Sequence, residues 1–240
     1  MAVVNELIMD GVGTSSFPFR IIIKESPVYD LKESKSQLLE HGGINGAIVQ
    51  SNRHRPMSRL EYTFQLIEPT ETEVHRFLAV LSREGVWLED TRVPTTRRWC
   101  YKVEDMMVTQ ETPTVYLCRV VFVCHPTKFF KEVDTQVLRA SGVLRPQGSA
   151  LAFPTIRIEG NSSSETTLTV GRQVIRLERL TEPVVMVNDP TRPSFQTVAG
   201  KSIKWAGDFF TVDAVKGEPV GVVFGPGISL VTFETVWGWM

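Results

Sequence analysis

No stretch of this sequence is apolar over the roughly 18 residues that a membrane-crossing helix requires, so no span is expected. Cysteine is scarce: the chain has 3, an odd number without metal-ligand spacing. That count speaks against a disulfide scaffold and for free thiols in a reducing compartment. Cys118 and Cys124 fall on one side of a single expected strand. Six residues of strand are roughly 20 Å, too far to share a metal, and both are expected to pack as small hydrophobes. Histidine is equally thin, with His41, His54, His75 and His125 dispersed. There is no Gly-rich phosphate loop, no His-Glu-x-x-His and no Gly-x-Ser-x-Gly. Gly11-Val12-Gly13 lacks both the third glycine and the following helix of a dinucleotide site. Glu89-Asp90 and Glu104-Asp105 sit beside turns without a visible partner and read as surface. No catalytic residue, metal or cofactor is expected. An excess of one charge is missing too. The net charge is −1, with 16 basic and 17 acidic side chains in residues 1–132 and 10 of each in 133–240. A groove-reading nucleic-acid protein shows a basic excess instead. The opening Met1-Ala2-Val3-Val4-Asn5-Glu6 has no basic n-region, so it is not expected to be a secretory signal, and Asn161-Ser162-Ser163 reads as a polar turn.

What is present is alternation. The 240 residues suffice for two ordinary domains. Phe153 to Leu177 reads as three short strands and two turns. Ile156 and Ile158 share one face of the first strand, Arg157 and Glu159 the other. Gly171 supplies the positive φ of a type II′ turn. That turn sets Leu168 against Ile175, Thr167 against Arg176 and Thr166 against Leu177, so apolar meets apolar. With Val184–Val187, Val220–Phe224 and Ile228–Val236, the C-terminal half is expected to hold seven or eight strands in a sandwich.

The N-terminal half mixes strands with one helix. Phe17–Ile23 and Leu60–Ile67 read as strands, the latter with Leu60, Tyr62, Phe64 and Leu66 on one face. Glu71 to Glu84 is the expected helix. Thr70 and Glu73 form a capping box, Val74, Phe77, Leu78 and Leu81 an apolar stripe, and Gly85 the stop. His75 falls on its flank and is expected to be solvated. Residues 32–57 are polar and turn-rich, a long arm with a brief strand at Ala47-Ile48-Val49. A strand is expected over Thr96–Val103, and the longest over Thr114–Cys124. The latter is apolar on both faces, hence either central under the helix or pressed against another subunit. Residues 133–152, with Gly142, Pro146 and Gly148, read as a strand-like link, which gives domains 1–132 and 133–240.

Two groups are candidates for recognition. Arg53-His54-Arg55 with Arg59 is either a solvated loop or an interface, since arginine forks suit carboxylates on a neighbouring subunit. The arm and the doubly apolar strand also want a partner surface, which adds Ile48 and Val121. Trp205, Trp237 and Trp239 are either core and interface residues or a platform for sugar rings.

Several motifs in order resemble one family. Val120-Val121-Phe122-Val123-Cys124-His125-Pro126, running into Phe129-Phe130, resembles the F-x-C-x-P…Y/F end of the first domain of siphophage distal tail proteins (Dit). Ala152-Phe153-Pro154-Thr155-Ile156-Arg157-Ile158-Glu159-Gly160, followed by Thr167-Leu168-Thr169-Val170-Gly171, is similar to the opening of that family's second domain, one residue shorter at the turn. Trp87-Leu88-Glu89-Asp90 with Trp99-Cys100-Tyr101-Lys102-Val103 looks like the family's L-x-x-D…R-Y-Y-x-V hairpin, departing at Trp99 and Cys100. Asp208-Phe209-Phe210 stands where members often carry D-F-P, so the contacts of that loop are open.

The resemblance implies a mainly β protein. An N-terminal tail-tube-like sandwich or split barrel with one helix would be followed by a galectin-like sandwich. It implies a virion structural protein at the tail tip, assembled in the host cytoplasm. The first domain would form a homo-hexameric ring, the arm lapping the next subunit, around the channel that DNA crosses. Implied partners are the major tail tube protein, the tail-associated lysin or adhesin, and receptor-binding or baseplate proteins. The competing expectation is a carbohydrate-binding module built on the C-terminal half.

Overall fold

The computed structural model describes residues 5–25, 35–40, 42–43, 45–51 and 54–240. The chain divides into Met1–Lys128 and Phe129–Met240, a few residues before the expected boundary.

In the first unit, strands β1 (Leu7–Met9), β2 (Val12–Gly13), β3 (Arg20–Glu25), β6 (Ser58–Ile67), β7 (Val86–Asp90), β8 (Thr96–Thr112) and β9 (Val115–Cys124) join in the order β2-β1-β7-β8-β9-β6-β3. Among the described residues β4 (Ser36–Glu40) and β5 (Ala47–Ser51) pair only with each other. Alternation decides which face is covered. Leu60, Tyr62, Phe64 and Leu66 of β6 are all buried, as are Cys118, Val120, Phe122 and Cys124 of β9. The two strands run antiparallel from Ser58↔Cys124 to Ile67↔Val115. β9 is therefore a central strand. Its other face is half-covered at Val115, Leu117 and Val121 and buried at Val123.

The helix α1 (Glu71–Leu81) begins as the sequence dictates. The Thr70 hydroxyl accepts from the Glu73 N–H, and the Glu73 carboxylate accepts from the Thr70 N–H at 2.7 Å. Val74, Phe77 and Leu81 are buried, and the Phe77 ring meets Phe64 edge-on at 5.5 Å. The end differs from the expectation. Ser82 caps the helix, its N–H bonding Leu78 O at 2.9 Å and its hydroxyl bonding Ala79 O at 3.1 Å. Gly85, at φ +64°, serves the turn into β7 instead.

β8 runs well past Val103. Register shifts after Cys100, Val103 and Gln110 place Cys100, Val103, Met106 and Val108 toward the core at uneven spacing. The expected strand, Thr96–Val103, stops at the second of these shifts.

The second unit holds two five-stranded sheets. One is ordered β11 (Asp134–Leu138), β22 (Ile228–Thr235), β14 (Thr155–Gly160), β17 (Val184–Val187), β18 (Ser194–Thr197). The other is ordered β12 (Gly142–Leu144), β21 (Val220–Phe224), β15 (Thr166–Val170), β16 (Gln173–Leu177), β19 (Trp205–Gly207). Residues 133–152 are thus not a link, because β11 and β12 are edge strands of the two sheets. Between the sheets lie Ile156, Ile158, Val231 and Phe233 from one, and Leu168, Ile175, Leu177 and Val222 from the other. The β15–β16 hairpin has the register expected from Gly171, which sits at φ +61°.

Candidate functional site

The most unusual surface is the β4–β5 hairpin. Its pairs include Leu38↔Val49 and Leu39↔Ile48. Consecutive residues of a strand face opposite ways, so each face of the hairpin carries one apolar pair. All four side chains are open to solvent: Leu38 is 69% exposed, Val49 63%, Ile48 56% and Leu39 46%. A two-stranded ribbon is marginal by itself in water. Among the described residues it borrows no third strand. Its foot is fixed where the Lys35 N–H bonds His54 O at 2.8 Å.

Arg59 and Val121 lie together on the outward face of the main sheet, but the arginine fork is already engaged. Arg59 Nε and Nη2 reach the Glu104 carboxylate at 2.5 and 3.0 Å. That pairing holds the Glu104 carboxyl below its ordinary range. Arg119 grips Glu61 in the same way, Nε to Oε1 at 2.5 Å. Val121 sits in the row between, with Glu61 on one side and Asp105 on the other. The face carries two engaged ion pairs around the half-covered Val121. Arg55 is half-buried, and Ile48 belongs to the hairpin. Arg53 lies outside the described residues.

The tryptophans do not form a platform. Trp237 is fully buried, with its indole N–H donating to Asp134 Oδ2 at 2.8 Å, so it offers no ring face to a sugar. Trp205 packs edge-on between Phe195 and Phe209 at 5.2 and 5.3 Å. Trp239 is 48% exposed and lies against Phe130. A concavity of this unit, about 580 Å³, borders Thr181, Thr197 and two ion pairs, Glu178 with Lys204 and Glu182 with Lys201. No aromatic residue lines it.

Asp90 is not a surface group. Its carboxylate takes Arg92 Nη2 at 2.8 Å and the Tyr62 hydroxyl at 3.4 Å. Burial first, then the Asp90 charge, pushes the Tyr62 hydroxyl far above its usual range. Glu104 likewise has a partner. Neither contact is visible in sequence, since Tyr62 stands 28 residues from Asp90 and Arg59 45 from Glu104. Among the described residues no three His, Cys, Asp or Glu side chains are grouped to hold a metal ion, and no helix is long and apolar enough to cross a membrane.

A β unit with one helix, followed by a unit of two facing five-stranded sheets, is a Dit-like fold. The solved structure of the SPP1 Dit protein superposes with a TM-score of 0.72, covering 96% of this chain and 98% of that one at 16% identity. That protein is described as a paradigm of the hub adsorption apparatus in phages infecting Gram-positive bacteria. No protein-family model and no curated protein matches the sequence. The resemblance read from the motifs and the mainly β fold expected with it are both met at the level of structure.

Proposed function

We propose that this chain is a non-enzymatic structural component of a siphophage tail tip, the hub that joins the tail tube to the adsorption machinery. The observation that carries the reading is the hairpin. Leu38, Leu39, Ile48 and Val49 expose apolar side chains on both of its faces, and monomeric proteins seldom leave such ribbons uncovered. A second copy of the chain covers them. The first unit builds a homo-hexameric ring through which DNA passes, and the hairpin laps the neighbouring subunit. Ile48 lies in that contact directly. Val121 and the Arg59–Glu104 pair lie on the outward face of the main sheet. The ring engages the major tail tube protein and a tail-associated lysin or adhesin, and the second unit carries receptor-binding or baseplate components. The fold shared with SPP1 Dit supports this assignment.

Electron microscopy of the full-length protein, alone and mixed with tail tubes, tests it. Closed rings that cap tube ends are expected. Particles of single-chain size in both samples would overturn it.

A further inference from the structure

Cys100 and Cys124 stand directly opposite each other on β8 and β9. In the adjoining pair the His125 N–H donates to the Trp99 carbonyl at 2.8 Å. That makes Trp99/His125 a hydrogen-bonded pair and Cys100/Cys124 the closer, non-hydrogen-bonded kind, with Cα atoms about 4.5 Å apart. Disulfides span Cα separations of about 4.4–6.8 Å, so the backbone already suits a bridge. Cys100 Sγ donates to Lys102 O at 3.5 Å. Both residues are fully buried. The ladder breaks next to them, at the register shift between Cys100 and Lys102, which is where local opening would begin.

The third cysteine is a built-in contrast. Cys118 faces Phe64 on one side and Val108 on the other, with no thiol in register. Burial pushes its thiol up to about 12. The Cys100 thiol is instead held below its ordinary range, first by the hydrogen bond with Cys124.

We propose that Cys100 and Cys124 are a redox pair that closes into a cross-strand disulfide on exposure to a peroxide, with Cys118 a bystander. The Cys100 thiolate attacks one peroxide oxygen. An S–O bond forms, the O–O bond breaks, and the departing hydroxide takes a proton to become water. The Cys124 sulfur then attacks the Cys100 sulfur. The S–S bond forms, the S–O bond breaks, and the second hydroxide leaves with the Cys124 proton as water. Two thiols are oxidised and one peroxide is reduced to two waters. The inference rests on the β8–β9 ladder and does not depend on ring assembly.

Full-length protein, reduced and then treated with hydrogen peroxide before denaturing alkylation, tests the pairing. Untreated protein should label all 3 cysteines. Treated protein should label only Cys118, weigh two hydrogens less, and regain full labelling after dithiothreitol. Peptide mapping should link the Cys100 and Cys124 peptides, and Cys118→Ala should leave the link intact. Three labels after treatment, a bridge involving Cys118 or a second chain, or oxygen added without a bridge would each overturn the proposal. The wild-type map reads the bridge directly, so the test holds even where a Cys100 or Cys124 variant does not fold.

Discussion

The backbone N–H of Phe210 donates to Asn188 Oδ1 at 2.7 Å, and Asn188 Nδ2 in turn donates to Pro154 O at 2.5 Å. Asn188 is 3% exposed, so one buried amide ties three segments of the second unit together. This is the loop in which the Dit-like pattern has proline. Proline has no N–H and could not make the first bond. Phenylalanine supplies the donor, and its ring, fully buried, joins the core. Asn188→Ala should strand a buried donor and a buried acceptor. The expected cost is about 2 kcal/mol or more, read as a lower urea midpoint at unchanged slope.

Asp134 has a comparable role at the other end of this unit. It accepts from the Trp237 indole at 2.8 Å and from Gln136 Nε2 at 2.6 Å. Asp134→Ala should leave the buried indole N–H unpaired and cost about 1–3 kcal/mol. Trp237→Phe should recover part of that loss in the double variant, because the orphaned donor is gone. A denaturant cycle over the four proteins measures the coupling.

The helix cap makes stability depend on acidity. The Thr70 N–H and hydroxyl hold the Glu73 carboxyl below its ordinary range. A carboxylate whose pKa is lower in the folded state stabilises the fold above its unfolded pKa, about 4.3, and loses that contribution as pH falls through the lower folded value. Thr70→Ala should cost about 1 kcal/mol near neutrality. Glu73→Gln should flatten the acid limb of a stability–pH curve measured by thermal melting.

The Gly171 turn fixes a hairpin at the centre of the second unit. An added Cβ there meets strain at φ +61° and lies 3.2 Å from Val220 Cγ1. Gly171→Ala should destabilise by about 1 kcal/mol or slightly more without changing the fold, as denaturant melts and an unchanged circular dichroism spectrum would report.

Legibility in the sequence followed locality. The β15–β16 register was readable because turn glycine and alternation act within a dozen residues. The start of α1 was readable because Thr70 and Glu73 are neighbours on one turn. β8 was readable only over Thr96–Val103, since its register shifts break the period that betrays a strand beyond it. Residues 32–57 read as an arm with only a scrap of strand, because charged and turn residues masked the pairing of Ser36–Glu40 with Ala47–Ser51. Tyr62 beside Asp90, Arg59 beside Glu104 and Asp134 beside Trp237 were invisible because each is brought in from a distant segment. Trp237, which composition alone allowed as a sugar platform, is a core residue for that reason.

The central claim is that the β4–β5 hairpin holds copies of this chain together. Native mass spectrometry of the full-length protein beside a Leu38→Lys, Val49→Glu variant, which replaces the apolar pair by opposite charges, tests it most directly. Both positions are exposed, so the substitutions should change the stability of the single chain by no more than about 0.5 kcal/mol. The account predicts a hexamer for the native sequence and a folded monomer for the variant. The same mass for both proteins, whether single-chain or assembled, would contradict it.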